Sequence, residues 1–388
     1  MRSTTEQEAI SCRAALIMGF VLALVACEST VGSWPRWTLE HELSIGDESS
    51  PEYALTRVQS IRVDAEGSMY VVHPQDGTIR VFNADGEFLR YIGRRGTGPG
   101  EFDRLLQAGI RGDTVWAADA TSLARFTLDG ELIRDDPIRY ATPNQQFRPS
   151  SIDFVLSDGT YAVVPSWIPS INEADWPTAI PMYAIDTAGV MTHQIGTFDL
   201  EPLRMFRMPD GTNGMAFVPF LLLFPYSRAP DGSSIVFVHQ SAAESDAAAT
   251  FRVVKVTFSG DTLFSRDVPY QPILVQQAAK DSVLSAVTGE GDNRRPADVV
   301  KARMDAAPIP EYYPPVKSIL QGNDGSTWLQ MQGSPTGAWL VLGTDGIPLA
   351  QAEAPVALQI HAVTQDHIWG VELDAYDVPT IVRYRIVR

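Results

Sequence analysis

Four basic residues stand just ahead of alternating apolar segments: Arg57, Arg104, Arg148 and Lys317. A cation at such a place either lays its stem on apolar surface with its charge in water or, if the four converge, makes a site for a carboxylate or phosphate. Other chemistry is thinner. The histidines His41, His73, His193, His239, His361 and His367 form no His-Glu-x-x-His pair or other close ligand pair. Gly333-Ser334-Pro335-Thr336-Gly337 has the wrong order for a nucleophile elbow. Gly93–Gly100, GRRGTGPG, is glycine-rich, but a phosphate cradle needs a helix N-terminus or a nest of N–H groups behind it. Glu101-Phe102 and another strand pattern follow instead, so the loop reads as a crossover. Asp153, Glu311, Asn323 and Asp324 are oxygen ligands of the kind that calcium or zinc takes, without a diagnostic spacing.

The elements that would position these residues are short strands. In Ile61–Gly100, Ile61 and Val63 alternate with Arg62 and Asp64, the period of a half-buried strand. Turns at Ala65-Glu66-Gly67, Pro74–Gly77 and Asn83–Gly86 separate it from Met69–Val72, Ile79–Phe82 and Phe88–Ile92. Four antiparallel strands in under about fifty residues make one propeller blade. Weaker copies follow, their first turns at Gly112, Gly159, Gly232, Gly325 and Asp366. Three of the five intervals match a period of roughly 40–50 residues. The two that flank Gly232 are longer and imply insertions, at about 202–225 and 271–315. In the second, Ile273–Val287 and Pro296–Ala306 carry helical spacing. Trp37–Ile45 looks like a lone fourth strand, which a propeller can pair with its last C-terminal strands to close the ring. Trp167, Trp176, Phe206, Phe217, Phe220, Phe224, Tyr312 and Tyr313 gather in the long loops, where they either cap the channel or pack the insertions.

The 388 residues are 45% hydrophobic, enough for a large core, and carry a formal net charge of −17. That acid excess argues against nucleic-acid binding. Ala14–Val25 is an apolar run after Arg13, too short to span a bilayer comfortably but suited to a signal-peptide core. It ends in Leu24-Val25-Ala26-Cys27, which resembles the bacterial lipobox. The resemblance implies a signal peptide over 1–26, acylation of Cys27, a tether over 27–36, and membrane attachment through the lipid alone. With Cys12 removed, Cys27 is the last thiol and no disulfide is available.

The motif D-x-x-G-x-hydrophobic-Y-V, then I-x-V-F-x-x-D-G-x-F-L-R-x-I-G and G-x-G-P-G-E-F, resembles NHL-type six-bladed β-propellers. It is most similar to bacterial lipoprotein members with helical insertions. The expected fold is therefore all-β: a six-bladed β-propeller over 37–388, closed by the N-terminal strand, with a small helical insertion between blades four and five. The expected function is a non-catalytic module in the bacterial cell envelope, facing the periplasm or outside, that binds an anionic small molecule or a protein. The alternative is a metal-dependent hydrolase or lyase similar to gluconolactonase-like propellers, with calcium or zinc in the channel. Arg57, Arg104, Arg148 and Lys317 are expected to ring one channel mouth, with no catalytic residue assigned.

Overall fold

A computed structural model describes residues 34–46, 50–138, 147–155, 160–167, 179–199, 201–289, 291–334 and 336–388, with backbone only for 147–153, 165–167 and 292. Cys27, Trp176 and the leader lie outside the described residues, as do the side chains of Arg148, Asp153 and Trp167.

Among the described residues the chain builds six four-stranded antiparallel blades around a central channel. Blade one is Ser60–Val63, Met69–His73, Thr78–Phe82 and Phe88–Ile92, from the innermost strand outward. The innermost strands of blades two to six are Gln107–Arg111, Phe147–Val155, Tyr226–Arg228, Val316–Gln321 and Gln359–Val363. All six run the same way along the channel. The channel therefore has a near mouth, where these strands begin, and a far mouth, where they end in tight turns. Glycine is needed at those turns: Gly67, Gly112, Gly232 and Gly325 have φ of 84°, 56°, 68° and 79°.

Arg36–Ile45 closes the ring. It pairs antiparallel with Pro379–Val387, from Thr38 opposite Val387 to Ile45 opposite Ile381, as the outermost strand of blade six. Its first residues also touch blade five, Arg36 opposite Gln351. That contact joins the two blades into one eight-stranded sheet. The core is a series of clusters between adjacent blades. Val72, Ile79, Phe102, Val115 and Phe126 pack between blades one and two. Ile61, Met69, Phe82, Trp369 and Val371 pack between blades six and one. A twisted blade buries both its faces against neighbours, so apolar side chains on both faces of its middle strands reach full burial.

Both long insertions leave the near mouth. The first folds as a hairpin, Leu203–Arg207 with Asn213–Phe217. The second holds α1, Gln277–Thr288, and α2, Ala297–Ala306. Here α1 starts later than the helical spacing from Ile273 suggests. The segment before it pairs as a bridge instead: Leu274 opposes Tyr312, Val275 N–H donates to Glu311 O at 2.9 Å, and Tyr313 N–H donates to Ile273 O at 2.8 Å. The aromatics serve packing. Phe206 is buried beneath the hairpin with Ala216 and Ala307, and the rings of Phe220 and Tyr313 meet edge-on at 4.9 Å. The Gly93–Gly100 loop is a crossover, as its spacing suggests. Its own Glu101 carboxylate accepts from Gly98 N–H at 2.9 Å and Arg94 Nε at 2.7 Å, so the donors that a phosphate would want are occupied.

Candidate functional site

At the far mouth the channel opens into a cavity of about 620 Å³, within the range that holds a small organic ligand. Its wall comes from the ends of inner strands and the turns after them in blades one, two, four, five and six.

The wall is stiffened by bonds between blades. Gln321, 1% exposed, donates from Nε2 to Ser227 O at 2.7 Å, and its own N–H donates to Ser227 Oγ at 3.2 Å. Asn323 donates from Nδ2 to Val63 O at 3.2 Å and from its backbone to Val363 O at 2.7 Å. Lys255 Nζ donates to Gly325 O at 3.0 Å. Burial pushes that ammonium's pKa down, against the pull of Asp231 and Asp324. Blades four, five, six and one are thus stapled around the cavity by side chains whose polar ends are largely satisfied.

Arg62 is not satisfied in this way. Its neighbours Ile61 and Val63 enter the apolar cluster between blades six and one, while Arg62 lines the cavity. Its one hydrogen bond among the described residues runs from Nη1 to the carbonyl of Ile61 at 3.1 Å. Among the described residues no carboxylate pairs with it. Burial lowers its pKa to about 10. A guanidinium still keeps its proton at neutral pH, so the charge stays and lacks a counter-ion. Arg80, in the same blade, is a structural cation for comparison. It is 6% exposed, donates to the carbonyls of Glu52 and Ala54 at 3.2 and 2.7 Å, and pairs with Asp76 at 3.0 Å.

Three further groups converge with Arg62. Arg228 stacks its guanidinium over Trp116 at 5.3 Å and Phe154 at 5.2 Å, a geometry that holds the fork in one plane. The stack depends on Gly109, opposite Trp116 in the register. A Cβ there would lie 2.6 Å from the indole. Arg111 borders the same cavity and, with Arg62 and Arg228, a small crevice beside Trp116. His361 lines the cavity from blade six, and its Nε2 is buried without a hydrogen-bond partner among the described residues. Burial first, then the charge of Arg62, pushes its pKa down to about 4, so the ring is neutral at pH 7. Gln321 Oε1 is a second buried polar atom of the wall without a partner.

Carboxylates stand in the turns around the mouth. Asp64 Oδ1 caps its turn, accepting from the N–H groups of Glu66 and Ser68 at 3.1 and 2.7 Å. Asp231 accepts from Ser233 N–H at 3.0 Å. Glu66 and Asp113 are exposed and line the cavity too. The arrangement offers donors on the inner wall and acceptors at the lip. Among the described residues no group of three His, Cys, Asp or Glu side chains could hold a metal. Glu311 and Asp324 bracket the six-residue strand Val316–Gln321, about 20 Å long at 3.3 Å per residue, so they do not share an ion. Asp324 instead caps its own turn, accepting from Ser326 N–H at 3.0 Å. A second depression, about 640 Å³, lies over blades three and four. There His239 meets Asp199 at 2.8 Å and Arg252 forks Asp267 at 2.8 and 3.1 Å.

Arg57, Arg104 and Lys317 sit on the near side of their blades, exposed, and none of them lines the cavity. Lys317 and Arg148 are second residues of their strands rather than residues ahead of them. Arg62, Arg228, His361 and Gln321 are the functional candidates that sequence reasoning missed. For Arg62 a signal existed: it is the charged residue in an alternating inner strand, where the polar face looks into a channel rather than into bulk water.

Residues 48–135 match a family model described as a 6-bladed beta-propeller. No curated protein matches the chain. Among solved structures it is similar to a member of the duf4221 family from Bacteroides vulgatus, at 12% identity and a TM-score of 0.43, covering 90% of this chain and 98% of that one. It is also similar to the PQQ-bound aldose sugar dehydrogenase of Streptomyces coelicolor, at 11% identity and 0.42, covering 92% and 100%. A third is the calcium-binding protein regucalcin from Agrobacterium tumefaciens, at 13% and 0.40, covering 91% and 96%. The last two differ in chemistry, and the likeness of all three to this chain is one of fold.

Proposed function

We propose that this propeller is a binding module that takes a small anionic molecule into its far-mouth cavity. The observation that carries the reading is Arg62: a cation in the cavity wall without a carboxylate partner among the described residues, in a chain of net charge −17. Such a charge is costly unless an anion completes it. Arg228, held by its aromatic stack, supplies a second fork. The apolar stretch of wall at Ile110, Leu320 and Ala362 favours a ligand with a carbon skeleton over a bare inorganic ion.

The test is calorimetric titration of small carboxylates and phosphates against wild type and Arg62→Met. Losing a charge-assisted hydrogen bond is worth about 1.5–3 kcal/mol, so the variant binds roughly ten- to a hundredfold more weakly. Its fold is unharmed or slightly stabilised, because a half-buried charge without a carboxylate partner among the described residues has gone. Equal affinity of the two proteins would refute the reading.

The second part of the proposal is the address. Leu24-Val25-Ala26-Cys27 supports a lipid anchor at the bacterial envelope, and among the described residues no helix is long and apolar enough to cross a membrane. Labelling with a fatty-acid analogue tests it: wild type takes the label and Cys27→Ser does not, whereas an unlabelled wild type contradicts the anchor.

A further inference from the structure

The cavity is lined by charges of both signs. Arg62 has no carboxylate partner among the described residues, yet Glu66 stands in the turn after the same strand. Neither Glu66 nor Asp113 has an ion-pair partner among the described residues, and both line the same cavity from adjacent blades. In a partly desolvated space, opposite charges that can reach one another pair. Here they are kept apart by the backbone: Arg62 sits within the strand Ser60–Val63, its guanidinium bonded to the carbonyl of Ile61. Asp64 meanwhile fixes the turn by accepting the N–H of Glu66 and of Ser68.

We infer that the ligand is a zwitterion: a small molecule that enters with its carboxylate or phosphate toward Arg62 and Arg228 and leaves an ammonium at the lip, near Glu66 and Asp113. This rests on the anion-binding reading above and adds the second charge to it. A simple anion would answer Arg62 but meet the field of the lip acids on its way in. A simple cation would answer the lip and leave the half-buried Arg62 without a counter-charge. A molecule with both charges satisfies the two groups that the fold holds apart.

The experiment is calorimetric titration with matched probes. These are pentanoate, pentylamine and 5-aminopentanoate, with O-phosphoethanolamine beside 5-aminopentanoate to separate a phosphate head from a carboxylate head. Wild type, Arg62→Met and the double variant Glu66→Gln/Asp113→Asn are compared; neither lip residue caps a turn through its side chain. The zwitterions should bind wild type about tenfold or more tighter than pentanoate, and pentylamine should bind weakest. The double variant should lose that advantage and bind pentanoate at least as well as wild type does. Arg62→Met should weaken every probe that carries an anion. If pentanoate matches 5-aminopentanoate in wild type, or if the double variant leaves the preference intact, the zwitterion inference falls while the anion site stands. If no probe binds wild type at millimolar concentration, the anion reading itself fails and the inference falls with it.

Discussion

The two mouths of the channel are built from the same strands and carry cations of opposite character. At the near mouth Arg57, Arg104 and Lys317 are exposed, and Lys317 follows the second long insertion. At the far mouth the turns are short, and Arg62, Arg228 and His361 line a walled cavity. An exposed cation is solvated and screened, so it costs little and does little. A half-buried cation at the far end of an inner strand, as Arg62 is, is held in place by the blade, loses part of its water and seeks an anion. The difference teaches that position along the inner strand, more than the number of charges, decides which end of a propeller can bind.

Acid should break the comparison most. His73 is 1% exposed where the second strand of blade one ends, on the near side, and neither of its ring nitrogens has a hydrogen-bond partner among the described residues. Burial first, then Arg80, pushes its pKa down to about 4. His361, at the far mouth, is pushed to about 4 as well. Both rings bind fewer protons folded than unfolded between these values and the ordinary value of 6.5. Their contribution is therefore complete above the ordinary value and is lost as the pH falls through the window. Each ring accounts for up to roughly 3 kcal/mol, at about 1.4 kcal/mol per unit. Thermal melts across that window should show the fall, and His73→Leu or His361→Leu should each flatten it. A bound anion distinguishes the two: beside His361 it favours the imidazolium and offsets the loss, while His73 is unaffected. Melts that ignore pH over the window would contradict both assignments.

A substitution remote from the charge tests how the far mouth is set up. Gly109→Ala places a Cβ 2.6 Å from the Trp116 indole, which must move and disturb the stack that holds Arg228. The expected cost is about 1–3 kcal/mol, read as a lower melting temperature, with weaker anion binding measured by titration. Unchanged binding in a folded variant would remove Arg228 from the site.

The smallest effect belongs to the near mouth. Arg57→Glu combined with Lys317→Glu should alter stability by about 0.5 kcal/mol or less and leave anion affinity within about twofold at physiological salt. A loss of affinity as large as that of Arg62→Met would shift the site to the other end of the channel.

Much of the fold was legible because its signals are local. Glycines at the first turns fix the blade period, and the alternation in Trp37–Ile45 matches an outermost strand that completes blade six. The helix start was misplaced because Ile273 and Leu274 pair with residues 312 and 313, a tertiary contact that helical spacing does not encode. The site was hardly legible. Arg62, Arg228 and His361 come from blades one, four and six and are brought together by rotation about the channel, so no spacing along the chain links them. Period-two alternation marks Ile61 and Val63 as core, but it cannot tell a polar face turned to a channel from one turned to open water. Sequence reasoning chose cations by their place ahead of strands, and that place lies at the exposed end.

The central claim is that the far-mouth cavity, through Arg62, is where an anion binds. Anomalous diffraction from crystals soaked in bromide tests it most directly, because it locates an anion without presuming the ligand. The account predicts a bromide peak in the cavity within contact of the Arg62 guanidinium, absent in Arg62→Met. A map with peaks beside Arg57, Arg104 or Lys317 and none in the cavity would contradict it.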